Sequence, residues 1–183
     1  LPGLPPAWSK RSLARAKSAA AGRRLLLSLV NSRPSIATLG RAPSVFALNV
    51  QPDPVAGSAD EANALFQGRY RFAGELLLSP HQTPWSLVGA KPEWFEALHD
   101  FHWLRHFTAA DGDAARRQAR ALLDGWLKRY GRFDARWWRA DLAGRRIAGW
   151  VGHLGLLLDG ADIALREAML ESLMRQLRYI ARV

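Results

Sequence analysis

Residues 93–107 read EWFEALHDFHWLRHF, and the interpretation of the whole chain turns on them. The spacing predicts one helix over about 93–108, with Trp94, Leu98, Phe101 and Leu104 forming an apolar stripe. Beside the stripe stand His99, His102 and His106, three and then four residues apart, so they are expected to project from one side. Arg105 completes a cluster able to hold an anion, a proton or a metal. Three of the chain's five histidines fall in these eight residues. A helix with both an aromatic stripe and a titratable line is half buried or lines a cavity.

Downstream the pattern stays helical. Helices are predicted over 113–130, with Ala115, Ala119, Leu122, Trp126 and Tyr130 facing the core, over 140–158, and over 161–183. Short loops between long helices make antiparallel helical hairpins, and no clear repeat of solenoid length is present. The last helix runs to Val183 without a stop residue, so the 62–183 domain is expected to be truncated at its C-terminus. Upstream, 62–66 has the length of a single helical turn. Residues 68–78 place Tyr70, Phe72, Leu76 and Leu78 on alternate positions around Ala73 and Gly74, which predicts a small hairpin. A loop centred on Trp85 follows.

Residues 1–61 are expected to be a basic arm and a Pro/Ser/Gly-rich connector. The first 52 residues hold eight Lys and Arg and no acid; the rest holds 18 basic and 16 acidic residues. The net charge of +10 is thus mostly a property of the arm, which argues against nucleic acid as the partner of the folded body. For the basic stretch 9–30 the favoured reading is a surface helix, ahead of a transit or signal remnant and a membrane-surface helix. The chain begins at Leu1 rather than Met, which points to removal of a leading piece. No apolar run approaches the roughly 18 residues a bilayer-spanning helix needs, so no transmembrane segment is expected. The absence of cysteine excludes a disulfide framework and thiolate metal sites.

Two rows of residues carry the candidate chemistry. The histidine line could hold a metal through His102 and His106, but no acid or cysteine sits beside it as in metal hydrolases, so no metal and no cofactor is expected. His99 is the histidine best suited to face a ligand. In RRIAGWVGH, residues 145–153, Arg146, Trp150 and His153 are spaced by four and three. That row suits a sugar acid, since a guanidinium grips a carboxylate with paired hydrogen bonds and an indole covers the apolar face of a pyranose. His99, Arg146, Trp150 and His153 are therefore expected to bind substrate along one concave face. Gly149, Gly152 and Gly155 recur on the same helix, either under a close helix crossing or as the floor of a cleft. Of the adjacent Trp137 and Trp138, one is expected at a surface or cleft. No P-loop, dinucleotide fingerprint, nucleophile elbow or zinc ribbon is present.

The succession GRYRFAGE, a loop with PW, LHDFHWLRHF, WLKRY, RRIAGWVGH and LLDGAD, over about 62–162, resembles the N-terminal helical region of bacterial heparinase II/III-like proteins. The resemblance implies an all-α fold: an incomplete (α/α) toroid of antiparallel helical hairpins, with the short β-hairpin near its start. It implies a polysaccharide lyase acting on uronic-acid polysaccharide by β-elimination, in which a carboxylate is neutralised, a base takes the proton at C5 and a Tyr or His protonates the leaving oxygen. The implied partners are an anionic polysaccharide and a C-terminal β-sandwich of the same protein. The family's catalytic Asn, Tyr and His match no position up to Val183, so the fragment alone is expected to be inactive. Tyr130 and Tyr179 occupy apolar helical positions and are expected in the core. The alternatives are a non-catalytic carbohydrate-binding or assembly domain and a basic nucleic-acid or membrane-surface module. The periplasm or cell envelope is the favoured compartment, ahead of the cytoplasm.

Overall fold

The computed structural model describes residues 53–183. The predicted surface helix over 9–30 and most of the connector lie outside these residues. What is described is mostly helical, with one two-stranded antiparallel sheet.

Helix α1 (Ala59–Phe66) starts with a serine N-cap: the Ser58 hydroxyl accepts from the Glu61 N–H at 3.3 Å. Strands β1 (Arg69–Phe72) and β2 (Glu75–Leu78) form the expected hairpin. Ala73 and Gly74 both have positive φ, 48° and 78°, as a two-residue hairpin turn of matching twist demands. That turn pairs Tyr70 with Leu77 and Phe72 with Glu75. Leu76 and Leu78 are thereby placed opposite Arg71 and Arg69, and Leu78 is left exposed.

The single helix expected over 93–108 is two helices, α2 (Pro92–His99) and α3 (Leu104–Ala110). Between them Phe101 takes φ 63°, in the left-handed region. For a residue with a Cβ this costs about 1–2 kcal/mol. Burial compensates: Phe101 is fully buried and packs against four indoles, those of Trp85, Trp103, Trp126 and Trp150, at centroid distances of 5.0 to 5.8 Å. Burying a Phe side chain is worth about 1.5–3 kcal/mol, and each favourable ring pair adds about 0.5–1.5 kcal/mol, so packing outweighs the strain. Asp100 secures the turn by accepting from the His102 N–H at 2.9 Å. The apolar stripe keeps its place across the break, and Trp94, Leu98, Phe101 and Leu104 are all buried.

Helix α4 (Gly112–Tyr130) follows the expected span and buries Ala115, Ala119, Leu122 and Trp126. The helix expected over 140–158 is divided into α5 (Ala140–Gly152) and α6 (Leu154–Leu158). The division falls at His153, beside helix-weakening Gly152 and where the imidazole turns toward Asp53 and Thr108. Helix α7 (Ile163–Ile180) is capped by Asp162, which accepts from the Leu165 N–H at 2.8 Å. It passes antiparallel to α5: Trp138, just before α5, meets Tyr179, and Arg146 within α5 meets Gln176, earlier in α7.

Of the three recurring glycines, one sits under a tight crossing. A Cβ on Gly149 would lie 2.9 Å from the Asp100 carbonyl oxygen and 3.2 Å from Phe101 backbone atoms, so α5 is pressed against the α2–α3 break. Gly144, five residues earlier, has nothing within 4 Å of the equivalent point. Gly149→Ala is expected to lower stability by about 1–3 kcal/mol through overpacking. Gly144→Ala should raise it by about 0.5–1 kcal/mol by restricting the unfolded chain. Urea midpoints of the two variants check this, and equal shifts of the same sign would contradict the crossing.

Candidate functional site

The break in 93–107 divides the histidines between two places. His99, at the end of α2, is buried among aromatic rings. His102, Arg105 and His106 line a separate hollow of about 400 Å³ with Asp100, Glu61 and Arg71.

In the hollow three of these side chains have partners. Arg105 pairs with Asp53 at 3.1 Å and His102 with Asp100 at 3.2 Å, while the Nδ1 of His106 accepts from the Ser58 N–H at 3.1 Å. His153 sits behind this network, 3.4 Å from Asp53 by Nε2 and 3.0 Å from the Thr108 hydroxyl by Nδ1. At 3.4 Å the Asp53 contact is electrostatic rather than an aligned hydrogen bond. Burial pulls His153 and His106 below the usual imidazole range; Asp53 opposes it at the first and Glu61 at the second. Among the described residues no three His, Asp or Glu side chains are grouped so as to hold a metal ion.

Around His99 the arrangement differs. A pocket of about 340 Å³ opens between the Trp85 turn, the end of α2, the end of α4 and the loop before α5. The Trp137 ring stacks on the imidazole at 3.9 Å and 8°, and Tyr130 and Trp85 meet it edge-on at 4.8 and 5.5 Å. The loop is shaped by Asp134, which accepts from the N–H groups of Arg136 and Trp137 at 2.8 and 3.1 Å. Arg136 then lies over the Trp137 ring at 4.4 Å and Arg129 beside Tyr130 at 5.6 Å. Both arginines are exposed, both line the pocket, and neither makes an ion pair among the described residues.

Beneath the pocket the Trp126 indole N–H donates to His99 Nδ1 at 3.0 Å. Arg146 is wholly buried; its Nε donates to Gln176 at 2.7 Å and its Nη1 to the His99 carbonyl at 3.3 Å, with the guanidinium over the Trp126 ring at 4.5 Å. Burial lowers Arg146 to about 9 against the pull of Asp100, so it stays cationic at neutral pH. Burial, with Arg146 and Arg136 adding to it, drives His99 down to about 2.

The four residues expected on one concave face are therefore all interior. His99 alone borders the pocket, Arg146 braces it from behind, Trp150 packs against Phe101 and Trp126, and His153 belongs to the Asp53 network. The row in α5 fails as a face because Gly149 brings that side of the helix into contact with the α2–α3 break. Trp137 and Trp138 are both buried, because a turn rather than a helix or strand carries them; Trp138 packs on Phe133 and Tyr179. Spacing missed Arg129, Arg136 and Trp85 as a group, since three loops and helix ends bring them together. Tyr130 borders the pocket half-buried, and Tyr179 is half-buried beside Trp138. Searches of protein-family models, curated proteins and solved structures find no match to this chain.

The buried imidazoles set a pH dependence. A histidine whose folded pKa lies below its unfolded value of 6.5 takes up a proton more readily when unfolded, so stability is lost as pH falls below 6.5 and the loss grows toward the folded pKa. For His99 this amounts to about 2 kcal/mol between pH 7 and 5, and His106 and His153 act in the same sense. Urea denaturation across this range should show the decline, and His99→Gln should remove the His99 part. A stability that is flat or rises on acidification would contradict the burial.

Proposed function

We propose that the chain holds uronic-acid-bearing polysaccharide in the His99 pocket, as part of the helical toroid of a heparinase II/III-like polysaccharide lyase. The observation that carries this is two arginines, Arg129 and Arg136, with no ion pair among the described residues, at the rim of an aromatic pocket. A uronate presents an apolar ring face and a carboxylate on one small body. The half-buried Tyr130 ring and the apolar turn beside it, Leu87 to Ala90, offer surface to the first, and a guanidinium offers charge-assisted hydrogen bonds to the second. The hollow with His102 and Arg105 is a poorer seat, because these two already face Asp100 and Asp53, and Arg71 is left as its one cation without an ion pair among the described residues, against two at the pocket.

For β-elimination the substrate carboxylate must be neutralised, and the two arginines suit that task. A base and an acid are also needed. A His99 held near 2 is too weak a base at neutral pH, and the Tyr130 hydroxyl donates to the Trp85 carbonyl at 3.3 Å. The pocket therefore binds and orients, and proton transfer belongs to residues elsewhere in the lyase. The same weak basicity favours, as the second reading, a non-catalytic carbohydrate-binding domain using the same pocket. The antiparallel passage of α5 and α7 fits the helical pairs of a toroid. A nucleic-acid or membrane-surface role would rest on the basic arm.

Calorimetric titration of the 183-residue chain with oligogalacturonate should show binding, with a neutral cello-oligosaccharide bound far more weakly. Arg136→Ala, which removes an exposed side chain, should weaken oligogalacturonate binding roughly ten-fold with an unchanged circular dichroism spectrum. Equal binding of both saccharides, or an Arg136→Ala variant that binds like the parent, would overturn the reading.

A further inference from the structure

The pocket's floor has a chemical polarity of its own. Nδ1 of His99 accepts the Trp126 indole hydrogen, and an indole N–H can only donate. The neutral ring must then carry its proton on Nε2. Trp137 covers one face of the ring, while Trp85 and Tyr130 bound it edge-on, so the ring is fixed in orientation as well as in tautomer. Nε2 takes no hydrogen-bond partner among the described residues, and it is not one of their sealed, partnerless atoms, although His99 borders the pocket.

From this geometry we infer that His99 reads the pocket's ligand through a fixed, uncharged Nε2–H donor, and that Trp126 is the positioning residue that locks it. Resting on the saccharide reading above, the inference specifies the ligand group: an oxygen acceptor, such as a carboxylate or ring-hydroxyl oxygen, set toward the floor while Arg129 and Arg136 supply the charge at the rim. An ammonium at that position would meet a donor and be rejected. The division of labour separates specificity from charge. A neutral donor discriminates by hydrogen-bond direction, and it does so independently of pH across the range in which an ordinary histidine titrates.

Two measurements on the full chain test this. Long-range proton–nitrogen correlation spectra of the His99 ring should show the Nε2–H tautomer, unchanged from pH 5.5 to 8 (an order-of-unit window around the usual imidazole range), with the Nε2 resonance shifting on addition of oligogalacturonate. Calorimetry should find that His99→Gln, which keeps a donor, binds within about three-fold of the parent, whereas His99→Phe binds roughly ten-fold more weakly. In Trp126→Phe the released Nδ1 should let the second tautomer appear in the same spectra. An Nδ1–H ring, or one that titrates in this window, overturns the locked donor without requiring any variant to fold. Oligogalacturonate binding by His99→Phe equal to the parent's overturns the donor role alone. Failure of the parent to bind oligogalacturonate overturns the saccharide reading and the donor role with it, while the tautomer spectra still decide the lock.

Discussion

Phe101 in the left-handed region, caged by four tryptophans, is the constraint on which the rest of the structure depends. A continuous helix would carry the line His99, His102 and His106 along one side. The break instead ends α2 at His99, frees the His99 carbonyl for Arg146, and sends His102 and His106 to a different hollow. One unfavourable backbone conformation, offset by aromatic packing, thus decides which histidine meets the pocket.

The neighbouring elements are fitted to that break. Gly149 lets α5 approach the backbone at Asp100 and Phe101, and this approach is what brings Arg146 beneath His99. Burying a guanidinium is costly unless its donors and charge are met. Gln176, a carbonyl and the face of Trp126 meet part of that demand, while Nη2 is buried with no hydrogen-bond partner among the described residues, and these contacts tie α5, α7, α4 and α2 together at one point. Trp126 consequently touches Arg146 with its ring and His99 with its N–H. The pocket's floor is rigid because the core beneath it is shared by four helices.

Much of the fold could be read from the chain's periodicity. The helical character, the hairpin around Ala73 and Gly74, the extent of α4 and the buried stripe of Trp94, Leu98, Phe101 and Leu104 all follow local rules. The break at Phe101 did not, because no Gly, Pro or Asn marks it and its cause is largely tertiary: three of the four indoles, Trp85, Trp126 and Trp150, come from well-separated parts of the chain. The site was legible only at His99. Arg146 and Trp150 have the spacing of a binding row, yet spacing states which residues share a side and not what that side faces. Arg129, Arg136 and Trp85 share no period, and the Asp134 turn that aims Arg136 and Trp137 is the one local signal that points to them.

The central claim is that the broken helix places a neutral imidazole on the floor of an aromatic, arginine-rimmed pocket made for a sugar acid. A crystal structure of the chain soaked with oligogalacturonate tests it most directly. The account predicts a uronate ring against Tyr130, its carboxylate within hydrogen-bond distance of Arg129 or Arg136, an oxygen facing His99 Nε2, and Phe101 with positive φ. A saccharide seated instead among His102, Arg105 and His106, or a helix running unbroken through Phe101, would contradict it.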